Sequence, residues 1–318
     1  MNIFNFNNLL RLATLALVCQ NAVAQKKDSI DSQLVTRVET ELASDKMEGR
    51  AIFSAGIEKA SRFIETEFQQ IGLSYYEALT SYRQEFTTDQ KPTNNVIGVL
   101  KGKSKPNEIV VFSAHYDHLG IKNEGDDKIY NGANDDASGV TAVIALANYF
   151  KKLNNNERTI VFVAFTGEET GGYGSAFFTK TTNPDRIVAL FNIEMIGTES
   201  KWGKNSGYIT GFEKSNFGEI LQQNLKGTNF NFYPDPYPTE QLFYRSDNAR
   251  LAAVGVPAHT ISTSKMDSEP TYHQKNDDID HIDIKNMTAF IRAIAISSQS
   301  IISCKDTPSR VEKLKNRN

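Results

Sequence analysis

The sequence predicts an α/β fold in which a mostly parallel central sheet is covered by helices on both faces. Three apolar runs, at 108–114, 159–165 and 187–195, have the length of strands and are apolar almost throughout. Strands buried on both faces have this pattern, whereas half-exposed strands alternate apolar and polar residues. Helical periodicity between the runs favours parallel pairing, because parallel strands need a crossover helix.

The remaining elements are predicted from the spacing of apolar residues. Val140, Val143 and Ile144 show the helical spacing of three and four residues that identifies the longest helix. The predicted helices are 32–43, 60–71, 138–152, 174–180, 215–225 and 285–302, and further strands are predicted at 95–100 and 256–261.

The pattern breaks down between 197 and 246, where one helix is followed by an aromatic, proline-rich stretch at 230–238. A loop of this length in a compact domain is usually functional or disordered, and its aromatic content argues against disorder. A wall of a substrate cleft is therefore predicted. A surface loop packed on its own side chains is the alternative.

Composition limits the class of protein. The 318 residues include 35 basic and 38 acidic side chains, with 39% hydrophobic residues and a formal net charge of −3. These values are typical of a globular chain that is long enough for one α/β domain. The near-neutral charge argues against a nucleic-acid partner. Two cysteines, Cys19 and Cys304, are too few for a disulfide framework.

The first 24 residues have the pattern of a signal peptide. Arg11 precedes an apolar run at 12–18, and Ala22-Val23-Ala24 forms a small-residue cleavage site. The apolar run is too short to span a bilayer, so we expect an exported protein, periplasmic or secreted, without a membrane span. An amphipathic first helix of the domain is the alternative. One domain is then expected over 25–304, followed by a polar tail at 305–318 that frays.

Polar residues able to bind metals follow three of the predicted strands. His115-Tyr116-Asp117-His118 comes after the first apolar run, Glu168-Glu169 after the second and Glu194 near the end of the third. Ligands of open α/β sheets bind at the carboxyl ends of the strands, so these side chains are expected to converge on one crevice.

Two further segments add candidate ligands. Asp135 and Asp136 stand just before the helix predicted from 138, and His273 lies near the end of the chain. Each motif alone has an ordinary explanation, such as a helix cap formed by Asp136 or Ser138. Buried strands that repeatedly end in carboxylates and imidazoles, however, require a compensating cation. Imidazole and carboxylate ligands without thiolates suit zinc at a catalytic site.

The same motifs occur in the same order in a known family. The shared patterns are His-x-Asp, Asn-Asp-Asp-Ala-Ser-Gly, Gly-Glu-Glu, Asn-x-acid-Met-Ile-Gly and a late histidine, preceded by a family-like segment at 42–50. The chain resembles the co-catalytic zinc exopeptidases that include bacterial leucyl aminopeptidase, aminopeptidase S and glutamate carboxypeptidase II. This resemblance implies a phosphorylase/hydrolase-like fold and an aminopeptidase that hydrolyses the amino-terminal bond of peptides.

The resemblance also implies a role for each matched residue. Glu168 corresponds to the general base and Asp117 to a carboxylate that orients His115. Tyr244 lies in a segment similar to one near the family's cleft and is a candidate to help hold the tetrahedral oxygen, with a purely structural aromatic as the alternative. Two zinc ions per chain are implied, with five ligands: His115, Asp135, Glu169, Glu194 and His273. Asp135 matches the bridging ligand, Glu194 shares a zinc with His115, and His273 shares one with Glu169. Position 194 is Glu where many members have Asp, which lengthens that ligand by one methylene.

Other functions remain open on the same fold. A glutaminyl-peptide cyclotransferase-like acyltransferase typically works with one zinc, and a carboxypeptidase would need a basic pocket, for which Arg245 and Arg250 are candidates. A non-catalytic binding domain is the alternative of a different class. For an aminopeptidase, the aromatic stretch at 230–244 favours an uncharged or apolar first residue in the substrate.

Three histidines lie outside the matched motifs. His118 is expected to face solvent or to lie behind a ligand, and a spare metal ligand is the alternative. His259 is expected to be a core residue and His281 a surface residue.

Overall fold

The computed structural model describes residues 29–123 and 125–313. The predicted signal peptide and positions 314–318 of the tail lie outside the described residues. The helices α1–α8 are Ser32–Leu42, Ala55–Ile71, Ser138–Leu153, Tyr173–Thr181, Phe217–Asn224, Asn248–Ala253, Ile284–Ser297 and Gln299–Ile302. The strands β1–β10 are Arg83–Thr88, Lys91–Leu100, Lys105–His115, Gly120–Ile121, Ile129–Tyr130, Arg158–Phe165, Ile187–Ile193, Ser206–Ile209, Asn231–Pro234 and Ala258–Ser262.

Eight strands form one sheet in the order β1-β2-β6-β3-β7-β10-β8-β9. The four central strands β6, β3, β7 and β10 are parallel, whereas β2 and β8 run antiparallel to their inner neighbours. The predicted α/β fold with a mostly parallel sheet is confirmed. Among the described residues, no helix is long and apolar enough to cross a membrane.

Helices cover both faces of the sheet, as the apolar runs predict. Val110 and Phe112 of β3 pack in one core cluster with residues of α1, α2, α3 and α7. Ile109 and Val111, on the opposite face of the same strand, pack in a second cluster with residues of α4 and α6. Successive residues of β3 therefore enter two different cores, which explains why the run has no polar alternation.

The segment from 197 to 246 extends the sheet, which the sequence did not predict. Its strands β8 and β9 pair in parallel at one edge. Phe230 and Phe232 are buried and contact Phe290 of α7 edge-to-face. These two aromatic rings belong to the main core and not to a cleft wall.

The tail from 305 to 313 is docked, so the expectation that it frays is wrong for these residues. Arg158 donates to the Asp306 carbonyl (2.7 Å), and Arg310 donates to the Ile187 carbonyl (2.8 Å). Val311 is buried in the second core cluster. Arg158 thus satisfies a carbonyl of the tail, and Arg310 of the tail satisfies a carbonyl of β7. Val311 also buries apolar surface, and the domain therefore extends at least to 313.

Arg50 joins several loops beneath the carboxyl end of the sheet. It is 1% exposed and donates to four backbone carbonyls, those of Leu42 (2.7 Å), Tyr116 (3.0 Å), Asn131 (2.6 Å) and Gly132 (2.8 Å). The fixed fork of a guanidinium can serve four acceptors at once. Arg50 thereby links the loop after β3 to the loop before α3.

We expect Arg50→Met to lower the free energy of unfolding by at least about 3 kcal/mol, because buried carbonyls left without donors are costly. The measurement is urea unfolding followed by circular dichroism. Arg62→Met is the control, since Arg62 is largely exposed and its ion pair with Glu58 lies at the surface. Equal stability of the two variants would contradict the role of Arg50.

His259 is a core residue, as predicted, and it makes stability depend on pH. Its Nδ1 lies 2.9 Å from the Thr210 carbonyl and its Nε2 2.7 Å from the Ser215 hydroxyl. Burial lowers the pKa of His259 from 6.5 to about 4. The unfolded chain therefore binds a proton at this residue between these pH values while the folded chain does not, so stability falls as pH falls from about 6.5 to about 4.

We expect this effect to reach about 3 kcal/mol at its full extent. The measurement is urea unfolding at several pH values between 7 and 4, in chelator, for wild type and His259→Gln. The wild type should lose stability more steeply with acid. Parallel pH profiles of the two proteins would show that His259 does not carry this dependence.

Candidate metal centre

The candidate site lies where three neighbouring parallel strands end. His115 is the last residue of β3, Glu194 follows β7 directly, and Glu168 and Glu169 stand in the turn after β6. Asp135 reaches the same place from the turn Ala133–Ala137 before α3. A cavity of about 250 Å³ opens there, with Asp135, Glu168, Glu169, Glu194 and His273 in its lining.

Asp135 is the centre of the site, with different histidines at its two oxygens. Its Oδ1 lies 3.2 Å from Nε2 of His115. Its Oδ2 lies 3.4 Å from Nε2 of His273 and 3.8 Å from Nδ1 of His118. Asp135 therefore offers one carboxylate oxygen on the His115 side and the other on the His273 side.

Glu169 also divides its two oxygens between histidines. Oε2 lies 3.0 Å from Nε2 of His273, and Oε1 lies 2.9 Å from Nδ1 of His118. Hydrogen bonds to Asp135 and Glu169 raise the pKa of His273 to about 10. A proton on His273 therefore competes with any cation bound between these carboxylates.

Asp117 contacts both His115 and the turn that carries Glu168 and Glu169. Its carboxylate accepts the backbone N–H of Glu168 (3.1 Å) and of Glu169 (3.3 Å). The nearest contact to His115 comes from the Asp117 carbonyl oxygen, 3.1 Å from Nδ1, whereas the carboxylate is 3.8 Å away. A proton on Nδ1 leaves Nε2 of His115 free to face Asp135.

Asp136 and Asp277 fix the turn that carries Asp135. Asp136 accepts the backbone N–H groups of His115 (3.3 Å), Gly139 (3.1 Å) and Met195 (3.0 Å), and so joins two strand ends to the start of α3. Asp277 accepts the N–H of Asp135 itself (3.0 Å). Asp136 does accept an N–H of the first turn of α3, as the helix-cap alternative suggested, although Ala137 is the N-cap residue. The two bonds to strand ends and the whole role of Asp277 were not predicted.

A hydrogen-bond chain in the sheet orients Glu194. Asn192 donates to Oε2 of Glu194 (3.3 Å) and to the Ser246 hydroxyl (2.7 Å), while its own amide oxygen accepts from Ser113 (2.9 Å). Burial raises the pKa of Glu194. Asn192 is two residues before Glu194, so both side chains lie on the same face of the extended chain.

Glu168 lines the cavity beside these groups. Burial, followed by repulsion from the Glu194 and Asp247 carboxylates, raises its pKa well above the ordinary value. A carboxylate with a raised pKa is a stronger proton acceptor than an ordinary glutamate, as a general base requires.

Tyr244 does not line this cavity. Its ring is 48% exposed, contacts Phe243, and lies near the Lys214 ammonium. It lines a neighbouring pocket that also contains Glu168 and Asp247. Tyr244 therefore lies next to the cavity that the candidate ligands line and not in its wall.

His118 was expected to face solvent or to lie behind a ligand, and the first alternative is wrong because its side chain is fully buried. His281 is exposed, as predicted, and pairs with Asp278.

The residues of the site fit a bound metal. Within the described part of the chain, the buried atoms without a hydrogen-bond partner include Nε2 of His115 and Oδ2 of Asp135, two of the candidate ligand atoms. The closest approaches of His115 and His273 to the carboxylates are 3.0–3.4 Å. Two ligands of one tetrahedral zinc, each about 2.1 Å from the ion, lie roughly 3.4 Å apart.

Comparison with known proteins identifies the family. Residues 95–297, more than half of the chain, match the model of peptidase family M28. The chain belongs to peptidase family M28. The membership inferred from the motifs is thereby confirmed, and the matched segment includes every candidate ligand.

This M28 chain spans only part of the length of the curated relatives that it matches. A probable zinc metalloprotease of Pyricularia oryzae is 38% identical over 109 residues, which are 34% of this chain and 22% of the relative. Aminopeptidase YwaD of Bacillus subtilis is 25% identical over 260 residues, 74% of this chain and 52% of the relative.

Solved structures agree with the M28 fold. BSAP, a zinc aminopeptidase from Bacillus subtilis, superposes with a TM-score of 0.70 at 14% identity, covering 87% of this chain and 97% of that one. An aminopeptidase from Aneurinibacillus sp. strain AM-1 gives a TM-score of 0.65 at 16% identity, covering 92% and 97%. The zinc-exopeptidase architecture expected from the sequence is confirmed.

Proposed function

We propose that this M28 peptidase is a zinc-dependent aminopeptidase that removes the amino-terminal residue of peptides with two zinc ions. The observation that carries the proposal is the position of Asp135, whose two oxygens face His115 on one side and His273 on the other. Relatives described as aminopeptidase YwaD and as the zinc aminopeptidase BSAP support it.

The ligands divide into two sets around Asp135. His115 and Glu194 would hold one zinc ion, and Glu169 and His273 the other, with Asp135 shared. Zinc bound in this way polarises a carbonyl group and lowers the pKa of a bound water.

Glu168 takes the proton of the attacking water and delivers it to the leaving amine. Asp117 supports this step because its bonds to the N–H groups of Glu168 and Glu169 set the direction of both side chains. The carboxylates in the cavity lining attract the protonated α-amine of a peptide and so favour its amino terminus.

The cavity also supports an uncharged or apolar first residue. Met195, Tyr208, Leu242 and Met266 form part of its wall. Of the stretch at 230–244 from which this preference was predicted, Leu242 is the residue that reaches the lining.

A carboxypeptidase is the second candidate, and one residue favours it. Arg245 lines the cavity, and its pair with Glu240 is at the surface (3.1 Å, with both side chains nearly half exposed). Such a pair is weak enough for a substrate carboxylate to replace it.

A panel of amino-acid p-nitroanilides, amino-blocked counterparts and carboxyl-blocked peptides separates these functions. We expect chelator-sensitive release from free-amine substrates, fastest for apolar first residues, and none from amino-blocked ones. Release only from peptides with a free carboxylate would establish the carboxypeptidase. Zinc binding with no release from any substrate would contradict both.

We also propose that the protein is exported, on the basis of the pattern of its first 24 residues. Expression of the full chain in a bacterial host, followed by fractionation and amino-terminal sequencing, tests this. A mature chain starting at Gln25 outside the cytoplasm is the expected result, and an uncleaved cytoplasmic chain would contradict it.

A further inference from the structure

His118 is a buried residue of the metal centre that has no role in the proposed function. It lies three residues after His115, and its backbone N–H donates to the Arg50 carbonyl (3.2 Å). Its Nδ1 lies 2.9 Å from Oε1 of Glu169. The ring packs against Gly132, where a Cβ atom would come within 2.5 Å of its Cγ. The ring is therefore confined on one side by backbone and directed on the other at Glu169.

Two roles are compatible with this position. One atom each of His118, Asp135 and Glu169 could act as a metal ligand, and these three atoms all lie within 4.8 Å of one another. His118 would then be a ligand. Alternatively, Nδ1–H donates a hydrogen bond to Glu169 and His118 binds no metal.

The contacts of His118 favour the second role. A metal-binding histidine nearly always donates its other ring N–H to an oxygen, and His115 does so through Nδ1 to the Asp117 carbonyl. Nε2 of His118 is buried and has no such partner among the described residues. His273 lies within 3.4 Å of both Asp135 and Glu169, whereas His118 is 3.8 Å from Asp135.

We propose that His118 is a positioning residue for Glu169, an inference that rests on the proposed zinc site. Nδ1–H of His118 donates a hydrogen bond to Oε1 of Glu169. The other oxygen of Glu169, Oε2, lies on the His273 side and remains available to the metal. A carboxylate held in this way contributes one oxygen, which keeps a coordination position available for water or substrate, as catalytic sites require.

Three variants test the proposal: His118→Asn, His118→Gln and His118→Ala. The side-chain amide nitrogen of Asn lies near the position of Nδ1 and can donate to Glu169, whereas that of Gln lies nearer Nε2. We expect His118→Asn to keep the zinc affinity of wild type within about threefold. We expect His118→Gln and His118→Ala to lose about 10- to 100-fold in affinity at one of the two zinc positions. His281→Asn, at an exposed histidine, is the control and should change nothing.

The measurements do not need peptide cleavage. Zinc affinity is determined by competition with a chromophoric chelator, and the Co²⁺-substituted proteins are compared by their visible absorption spectra. Asn is expected to retain the wild-type spectrum. If His118 is a ligand, His118→Asn will lose zinc affinity as His118→Ala does, and its Co²⁺ spectrum will change. That result would overturn the proposal.

Unchanged zinc affinity in both His118→Ala and His118→Gln would also overturn the proposal. Circular dichroism and urea unfolding identify any variant that fails to fold, and the Asn–Gln comparison stands without Ala. Failure of the aminopeptidase proposal is recognised separately, as wild type that binds zinc but releases nothing from the substrate panel.

Discussion

Replacing Glu168 by Gln is expected to lower kcat by about 10²- to 10⁴-fold, the usual contribution of a general base. Gln has nearly the same size and can still occupy the cavity, but it cannot accept the proton of the attacking water. Asp117 should continue to hold the turn, because it bonds to the backbone N–H of residue 168 and not to its side chain. KM and the zinc content should therefore change little.

The measurement is steady-state hydrolysis of the best p-nitroanilide, with zinc per chain determined on the same sample. Glu219→Gln is the matched control, since Glu219 is an exposed residue of α5 far from the site in sequence. Turnover within tenfold of wild type would exclude Glu168 as the base. A loss of turnover accompanied by a loss of zinc would assign it to metal binding instead.

Replacing Asp135 by Ala is expected to empty both metal positions at once. Its two oxygens face the two histidines, so its loss removes one ligand from each set. We expect zinc to fall from two ions per chain to nearly none and hydrolysis to fall below detection. His115→Ala, which removes a ligand from one set, should retain about one ion.

Zinc is counted after dialysis against a weak chelator, and Tm is recorded with and without strong chelator. A metal that binds only the native state raises Tm, so chelator should lower the Tm of wild type but not that of Asp135→Ala. His281→Ala, at the surface, should behave as wild type. One full zinc ion retained by Asp135→Ala would show that this carboxylate does not bridge.

The sequence was most informative where burial leaves a local pattern. The apolar runs of β3, β6 and β7 and the periodicity of α3 are continuous because these elements are buried on both faces or all round. Their alternation predicted the parallel centre of the sheet. The edge strands β1 and β9 were missed because they are partly exposed and carry no such run. The strand β8 is buried, but its four residues are too few to form a recognisable run.

Within the site, the ligand candidates were identifiable because they belong to recognisable motifs, and all but His273 stand at or shortly after the end of a buried strand or just before a buried helix. The groups that hold them were not. Asp277 bonds to the backbone of Asp135, which is 142 positions away, and Asn192 bonds to Ser246, 54 positions away. Contacts over such distances leave no periodicity in either segment.

The sequence by itself determined the class of fold, the family motifs and the chemical types of the ligands, because these follow from local burial patterns and side-chain chemistry. The tertiary structure alone decided that Asp135 faces histidines on both sides, that His118 is buried against Glu169, and that Tyr244 lies outside the cavity. Those facts depend on how the strand ends and turns meet in space. The identity of a side chain states what it can bind, but only packing determines which partners lie within reach.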